Sequence, residues 1–209
     1  MSPPRLLPCG REAVLVEVDG LDAALALSAA LRTAALPGVV DLVPAARTVL
    51  VRLDPDTTSP DAVRAAIARL PADRHDAPDQ GVVEIPVRYD GPDLAEVATR
   101  TGLSTDEVVA AHTGTPWTVA FAGFAPGFAY LTGGDLRLEV PRRDTPRTRI
   151  PGGSVGLAGR FSGVYPADSP GGWQLVGRTD VRVWDLDRPR PALLVPGMRV
   201  RFRAVTECG

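Results

Sequence analysis

Four glycine- and proline-rich segments in the second half of the chain hold side chains suited to binding and catalysis. They are Gly123-Phe-Ala-Pro-Gly-Phe-Ala-Tyr-Leu131, Pro141-Arg-Arg-Asp-Thr-Pro-Arg-Thr-Arg-Ile-Pro151, Gly152-Gly-Ser-Val-Gly-Leu-Ala-Gly159 and Gly163-Val-Tyr-Pro-Ala-Asp-Ser-Pro-Gly-Gly-Trp-Gln-Leu-Val-Gly-Arg-Thr179. Glycine lets the backbone approach a ligand closely, and proline fixes a loop without needing a donor. Barrel corners and bulges also demand glycine, so composition alone leaves both uses open. Arginine fixed among such residues suits bidentate recognition of carboxylate or phosphate. All 23 basic residues other than histidine are arginine; the sequence contains neither lysine nor asparagine. A P-loop, a Schiff-base nucleophile and an N-x-[ST] glycosylation acceptor are therefore excluded.

The net charge of -2 hides an asymmetry. Residues 1–136 carry 10 Arg against 18 acids, whereas residues 137–209 carry 13 Arg against 7 acids, or -8 against +6. The basic half suits an anionic ligand or an acidic surface. Nucleic acid is not expected, because no interleaved stacking aromatics and no known nucleic-acid motif accompany the arginines. Cys9 and Cys208 lack metal-ligand spacing, so free thiols and no metal cluster are expected. Met1 to Gly10 has no apolar signal-peptide core, and no run is long enough to span a membrane; a cytoplasmic protein is expected.

The elements that would position these loops fall into two parts. Glu12 to Asp19 reads as a strand, Asp22 to Ala35 as a helix, and Val39–Val43 and Thr48–Leu53 as two further strands. Ser59-Pro60-Asp61 opens a second helix running to Leu70, with Ser as N-cap and Pro at the first helical position. After the polar stretch Pro71 to Gln80, Val82 to Val87 reads as a strand. The order β-α-β-β-α-β predicts a ferredoxin-like α+β domain over residues 1–80. Residues 81–209 begin with two short helices, Pro92 to Thr101 and Ser104 to His112, the latter with a capping-box opening. Short apolar runs follow, at Trp117–Phe121, Val155–Ala158, Leu175-Val176, Val181–Trp184, Ala192–Val195 and Arg199–Val205, and predict a small β-barrel. The last alternates, with Arg199, Arg201 and Arg203 on one face.

The four segments closely resemble the allophanate hydrolase subunit 1 family, whose members are also described as the B subunit of 5-oxoprolinase and as the kinase inhibitor KipI. The family run has the form G-F-x-P-G-F-x-Y-L, P-R-x-x-P-R-x-x-x-P, G-S-V, then G-x-Y-P-x-x-S-P-G-G-W-x-x-x-G-R-T. Upstream the match extends through Tyr89-Asp90-Gly91-Pro92-Asp93-Leu94, Thr101-Gly102-Leu103 and Val108 to His112. The sequence departs at Ala129, where the family commonly has Pro, and at Arg160-Phe161-Ser162, where a Gln-Thr pair is common. The resemblance implies a cyclophilin-like β-barrel after a ferredoxin-like domain. It also implies two partners: a related barrel protein (the C subunit of 5-oxoprolinase, or the allophanate hydrolase subunit 2 type) and a lactam hydrolase corresponding to the A subunit.

The implied activity is ATP-driven opening of 5-oxoproline to L-glutamate, with any ATP site shared with a partner. Such chemistry implies guanidinium donors for phosphate and carboxylate, here Arg142, Arg147 and Arg178. Gln174 and Ser154 are expected to bond the lactam amide, and Tyr130, Tyr165 and Trp173 to wall the pocket. His112, the one histidine in the matched region, is the candidate general base, with a helix-end capping role as its alternative. Trp173 as core and Arg147 as a buried structural ion pair are the corresponding alternatives. Two other activities compete: a KipI-like regulator of a sensor histidine kinase, and a carboxyltransferase or allophanate-hydrolase-type component acting on a urea-like amide.

Overall fold

Residues 4–70 and 80–206 are described by the structure, a computed structural model. The polar stretch from Pro71 and the second cysteine, Cys208, lie outside the described residues, apart from Gln80. The chain divides into two units, Met1–Pro78 and Asp79–Gly209.

The first unit contains β1 (Arg5–Pro8), β2 (Ala13–Glu17), α1 (Leu21–Ala34), β3 (Val39–Pro44), β4 (Thr48–Leu53) and α2 (Pro60–Ile67). Its four strands form one antiparallel sheet in the order β1-β2-β4-β3. Strand alternation turns Val14 and Val16 to the same face as Val51 and Val49, their cross-strand partners, and all four are fully buried. Ala24 and Leu31 of α1 and Val63 and Ile67 of α2 complete that core. The start of α2 follows its sequence signal: Ser59 accepts a hydrogen bond from the Ala62 amide (3.2 Å), and Pro60 opens the first turn.

The expected strand order needs one correction. Val82–Val87 does not close this sheet; the place beside β2 is taken by β1, which reaches it through a short local connection. The segment Val82–Val87 is β5 and pairs in parallel with the last strand of the second unit. Its fully buried Ile85 and Val87 belong to the larger core there.

That second unit continues with α3 (Leu94–Thr101), α4 (Thr105–Gly114), β6 (Trp117–Ala122), β7 (Ala129–Thr132), β8 (Arg147–Ile150), β9 (Ser154–Ala158), β10 (Phe161–Val164), β11 (Ser169–Gly171), β12 (Gln174–Arg178) and β13 (Arg199–Ala204). Seven strands form a sheet in the order β12-β9-β10-β7-β6-β13-β5. Its two edges nearly meet: just beyond β5, Arg88 exchanges both backbone hydrogen bonds with Arg178 at 2.9 Å. The fold is thus α+β with a nearly closed, barrel-like sheet. Strands β8 and β11 form a separate two-stranded ribbon. The runs at Val181–Trp184 and Ala192–Val195 are not strands; one bridge, Trp184 to Ala192, joins them, and Pro189, Pro191 and Pro196 crowd the second run. Helix α4 starts with the predicted capping box, Ser104 and Glu107 bonding each other's backbone amides at 3.2 and 2.8 Å. No helix among the described residues is long and apolar enough to cross a membrane.

Candidate functional site

The proline-bracketed arginine segment is tied down by a carboxylate that sequence reasoning did not single out. Asp93 occupies the N-cap position of α3 but makes no side-chain cap; its carboxylate turns into the protein and is 2% exposed. Oδ1 accepts from Arg143 Nη1 (2.8 Å) and Arg147 Nη2 (2.7 Å), and Oδ2 accepts from the Leu175 amide (2.7 Å). Burial raises its pKa, but the Arg147 and Leu175 hydrogen bonds and both guanidinium charges outweigh that and hold it below the ordinary value. Gly91 permits this approach, since a Cβ there would collide with the backbone of Leu175 and Val176. The available signal was an acid at a helix start within the quoted Tyr89–Leu94 motif, in a chain whose later loops are rich in arginine.

Beside this anchor lies an aromatic cluster. Seven of the eleven aromatic residues gather here: Phe121, Phe124, Phe128, Tyr130, Phe161, Tyr165 and Trp173. The low aromatic content is therefore concentrated rather than spread through the fold. Trp173 meets Phe128 edge-on at 5.3 Å and Tyr130 at 5.6 Å, while Tyr130 stacks on Phe121 at 4.4 Å. Two glycines create the room: a Cβ at Gly171 would lie 2.7 Å from the Tyr165 hydroxyl, and one at Gly163 would lie 3.0 Å from the Phe128 ring. Burial pushes the Tyr165 phenol up to about 12, opposed by the Trp173 amide and by the charges of Arg142 and Arg147. Burial likewise raises Tyr130, with Arg142 opposing. Both phenols are thus neutral donors at physiological pH, beside two cations.

Several polar atoms here are left unmet. Arg147 Nη1 and Gln174 Oε1 are buried without a partner among the described residues, as are Arg143 Nε and Ser169 Oγ nearby in the fold. Gln174 is 1% exposed and spends its amide on the Pro141 carbonyl at 3.3 Å. Each such orphan costs about 1–3 kcal/mol, and a site built to meet a ligand is one setting that recovers it. A cationic donor, neutral hydroxyls and an amide acceptor beside an aromatic wall suit a small anion that also carries an N–H.

The structure thus assembles six of the nine candidates: Tyr130, Arg142, Arg147, Tyr165, Trp173 and Gln174. Arg147 is also the buried ion-pair residue of its alternative reading, since one guanidinium nitrogen serves Asp93 while another is left over. Trp173 is 4% exposed and belongs to a hydrophobic cluster, as its core alternative has it. Arg178 sits elsewhere, at the far end of β12 from Gln174, roughly 13 Å along the strand. There it and Arg88 share Asp90 at the barrel seam (2.9 and 2.7 Å). Ser154, its register partner on β9, is buried and receives the Tyr165 amide on its backbone carbonyl.

The general-base reading of His112 meets a steric objection. The ring is fully buried in a different core, with Nδ1 at 2.7 Å from the Tyr89 hydroxyl and Nε2 at 2.8 Å from the Ser162 hydroxyl. Phe202 stacks on it at 4.3 Å. Desolvation lowers its pKa to about 3, so it is neutral at physiological pH and has no nitrogen free for substrate. The departure at Arg160-Phe161-Ser162 resolves in the same way: Ser162 bonds His112, and Phe161 packs behind Tyr130 and Phe121.

The chain belongs to the carboxyltransferase domain family, subdomain C and D, whose pattern matches residues 4–194. More particularly, it is 42% identical over 171 residues to a protein of Escherichia coli O157:H7 named as the B subunit of 5-oxoprolinase, covering 80% of this chain and 78% of that one. A Bacillus subtilis protein of the same name is 46% identical over 129 residues, 60% of this chain and 54% of its own. The crystal structure of TTHA0988 superposes with a TM-score of 0.76 at 40% identity, over 94% of this chain and 40% of that one. The chain therefore spans only part of some of the proteins it matches.

Proposed function

We propose that this chain is the B subunit of a cytoplasmic, ATP-dependent 5-oxoprolinase that opens 5-oxoproline to L-glutamate. In this reading it acts with a related barrel protein and a lactam hydrolase. The first unit is then a ferredoxin-like fold whose N-terminal strand stands where the last strand usually does, and the second a cyclophilin-like barrel. The observation that carries the reading is the 42% identity to a protein of that name across most of the chain, and the unmet site chemistry agrees with it.

An amide resists water because its carbonyl is resonance-stabilised, and ATP would supply a phosphoryl group to activate that oxygen. This chain's own residues would position the substrate. Arg142 and the spare Nη1 of Arg147 would hold carboxylate or phosphate oxygens, and Gln174 Oε1 would accept the lactam N–H. Tyr130, Tyr165 and Trp173 would exclude water from the ring. Without lysine or a P-loop, nucleotide would be held by arginine and by the partner.

The test is co-expression with both partner proteins and measurement of 5-oxoproline-dependent ATP hydrolysis. Arg147→Ala is expected to lower the rate about a hundredfold. An unchanged rate would remove Arg147 from the site, and an inactive wild-type complex would overturn the function.

A further inference from the structure

Among the described residues, the non-glycine positions with positive φ are Ala35 and Phe124. Ala35 is a left-handed helix C-cap, an ordinary place for it. Phe124 is different. It is the central residue of a three-residue turn closed by the Ala125 amide on the Gly123 carbonyl at 2.9 Å, with φ of 72°. A γ-turn of this hand is rare and strained, the more so for a bulky side chain. The ring is nevertheless 59% exposed. Strain and solvent exposure are both unfavourable, and among the described residues the ring meets other aromatic rings edge-on, Phe128 at 5.3 Å and Tyr165 at 6.2 Å. The rest of the loop is held firmly: Gly127 lies so close to Trp184 that a Cβ would come within 2.6 Å of its Cβ. The turn therefore holds an apolar ring at the edge of the wall whose Tyr165 feels both Arg142 and Arg147.

We propose that Phe124 is a specificity-determining residue, covering the apolar ring face of a small cyclic carboxylate whose anionic group Arg142 and Arg147 hold. The identity of that carboxylate as 5-oxoproline rests on the function proposed above. The strained turn presets the ring before ligand arrives, so little side-chain freedom is lost on binding.

The experiment uses the assembled complex carrying Phe124→Gly or Phe124→Leu. Glycine relieves the left-handed strain, so the thermal midpoint is expected to hold or rise. The KM for 5-oxoproline is expected to rise about tenfold, the scale of one lost apolar ring contact. Phe124→Leu, which keeps an apolar side chain on the turn, is expected to stay nearer wild type. An unchanged KM in Phe124→Gly overturns the proposal; so does loss of the partner proteins from the purified variant, which would make Phe124 a docking residue. If the wild-type complex hydrolyses no ATP with 5-oxoproline, the functional reading falls separately. Tryptophan-fluorescence titration of the purified chain with 5-oxoproline and with acetate then decides. A preference for the cyclic acid that disappears in Phe124→Gly supports the inference, and equal affinities or no binding overturn it.

Discussion

The barrel unit contains two polar groups set among aromatic rings, and they differ in one respect that matters. Around His112 every polar atom of the ring is engaged, with Tyr89 on one nitrogen and Ser162 on the other. Around Arg147 and Gln174, buried nitrogen and oxygen atoms are left without partners among the described residues. The residue with the more suggestive chemistry is the sealed one. Histidine attracts attention because its free pKa lies near neutrality, but desolvation has moved this one away from it. Unmet hydrogen-bonding capacity beside charged groups is what marks the second of these as the candidate site.

The largest expected effect tests the base of the candidate site. Asp93→Ala removes the acceptor for Arg143, Arg147 and the Leu175 amide together. The arginines are 34% and 23% exposed and can partly turn to water, so the loss should fall near the low end for a broken buried pair, about 3 kcal/mol. Urea unfolding would register it; a midpoint shift as small as that of a surface pair would mean that Asp93 is not the anchor.

The sealed group should declare itself through pH. His112 has a folded pKa of about 3 against an unfolded value near 6.5. Its contribution is complete above pH 6.5 and is lost as pH falls toward 3, because the unfolded chain takes up a proton that the folded core refuses. By pH 4.5 the loss is on the order of 3 kcal/mol. In His112→Gln the decline between pH 6.5 and 4.5 should flatten. An unaltered slope in that variant would mean the imidazole is not desolvated, and would reopen the general-base role.

Much of this is legible in the sequence, and the failures share a cause. The Ser59-Pro60 start of helix α2, the capping box at Ser104 and the alternation of β13 are local signals, and each appears within a residue or two of its expected place, although α2 ends at Ile67, three residues before Leu70. Val82–Val87 is visible as a strand but not as a strand of the second unit, because pairing partners at long sequence separation leave no local mark. Strands β8, β10 and β11 are hidden by the same glycines and prolines that make the site possible. Asp93 escapes notice because an acid before a helix reads as an ordinary cap. Arg178 groups with Arg147 because both lie in family-like loops, whereas Arg147 opens β8 beside Asp93 and Arg178 closes β12 beside Asp90.

Gln174→Met tests the candidate site at smaller scale. The change removes the unmet Oε1 together with the 3.3 Å bond to the carbonyl of exposed Pro141, which water can replace, so stability should change by less than about 1 kcal/mol. In the assembled complex the same change should raise the KM for 5-oxoproline about tenfold, the scale of one hydrogen bond. A purely structural glutamine would give the opposite pattern, with stability lost and KM kept.

The smallest effect belongs to the other arginine-rich surface. On β13, Arg199, Arg201 and Arg203 share the exposed face that charge counting alone would nominate for an anion. Arg203 meets Glu84 at 2.7 Å, yet the two side chains are 55% and 53% exposed. In water at that exposure the attraction is screened and offset by side-chain ordering, so Arg203→Ala should cost less than about 1 kcal/mol. Its effect should shrink further in concentrated salt and leave 5-oxoproline-dependent hydrolysis unchanged. If Arg203→Ala instead lowered that rate as much as Arg147→Ala does, positive charge alone would govern ligand binding, and the distinction drawn from unmet partners would be lost.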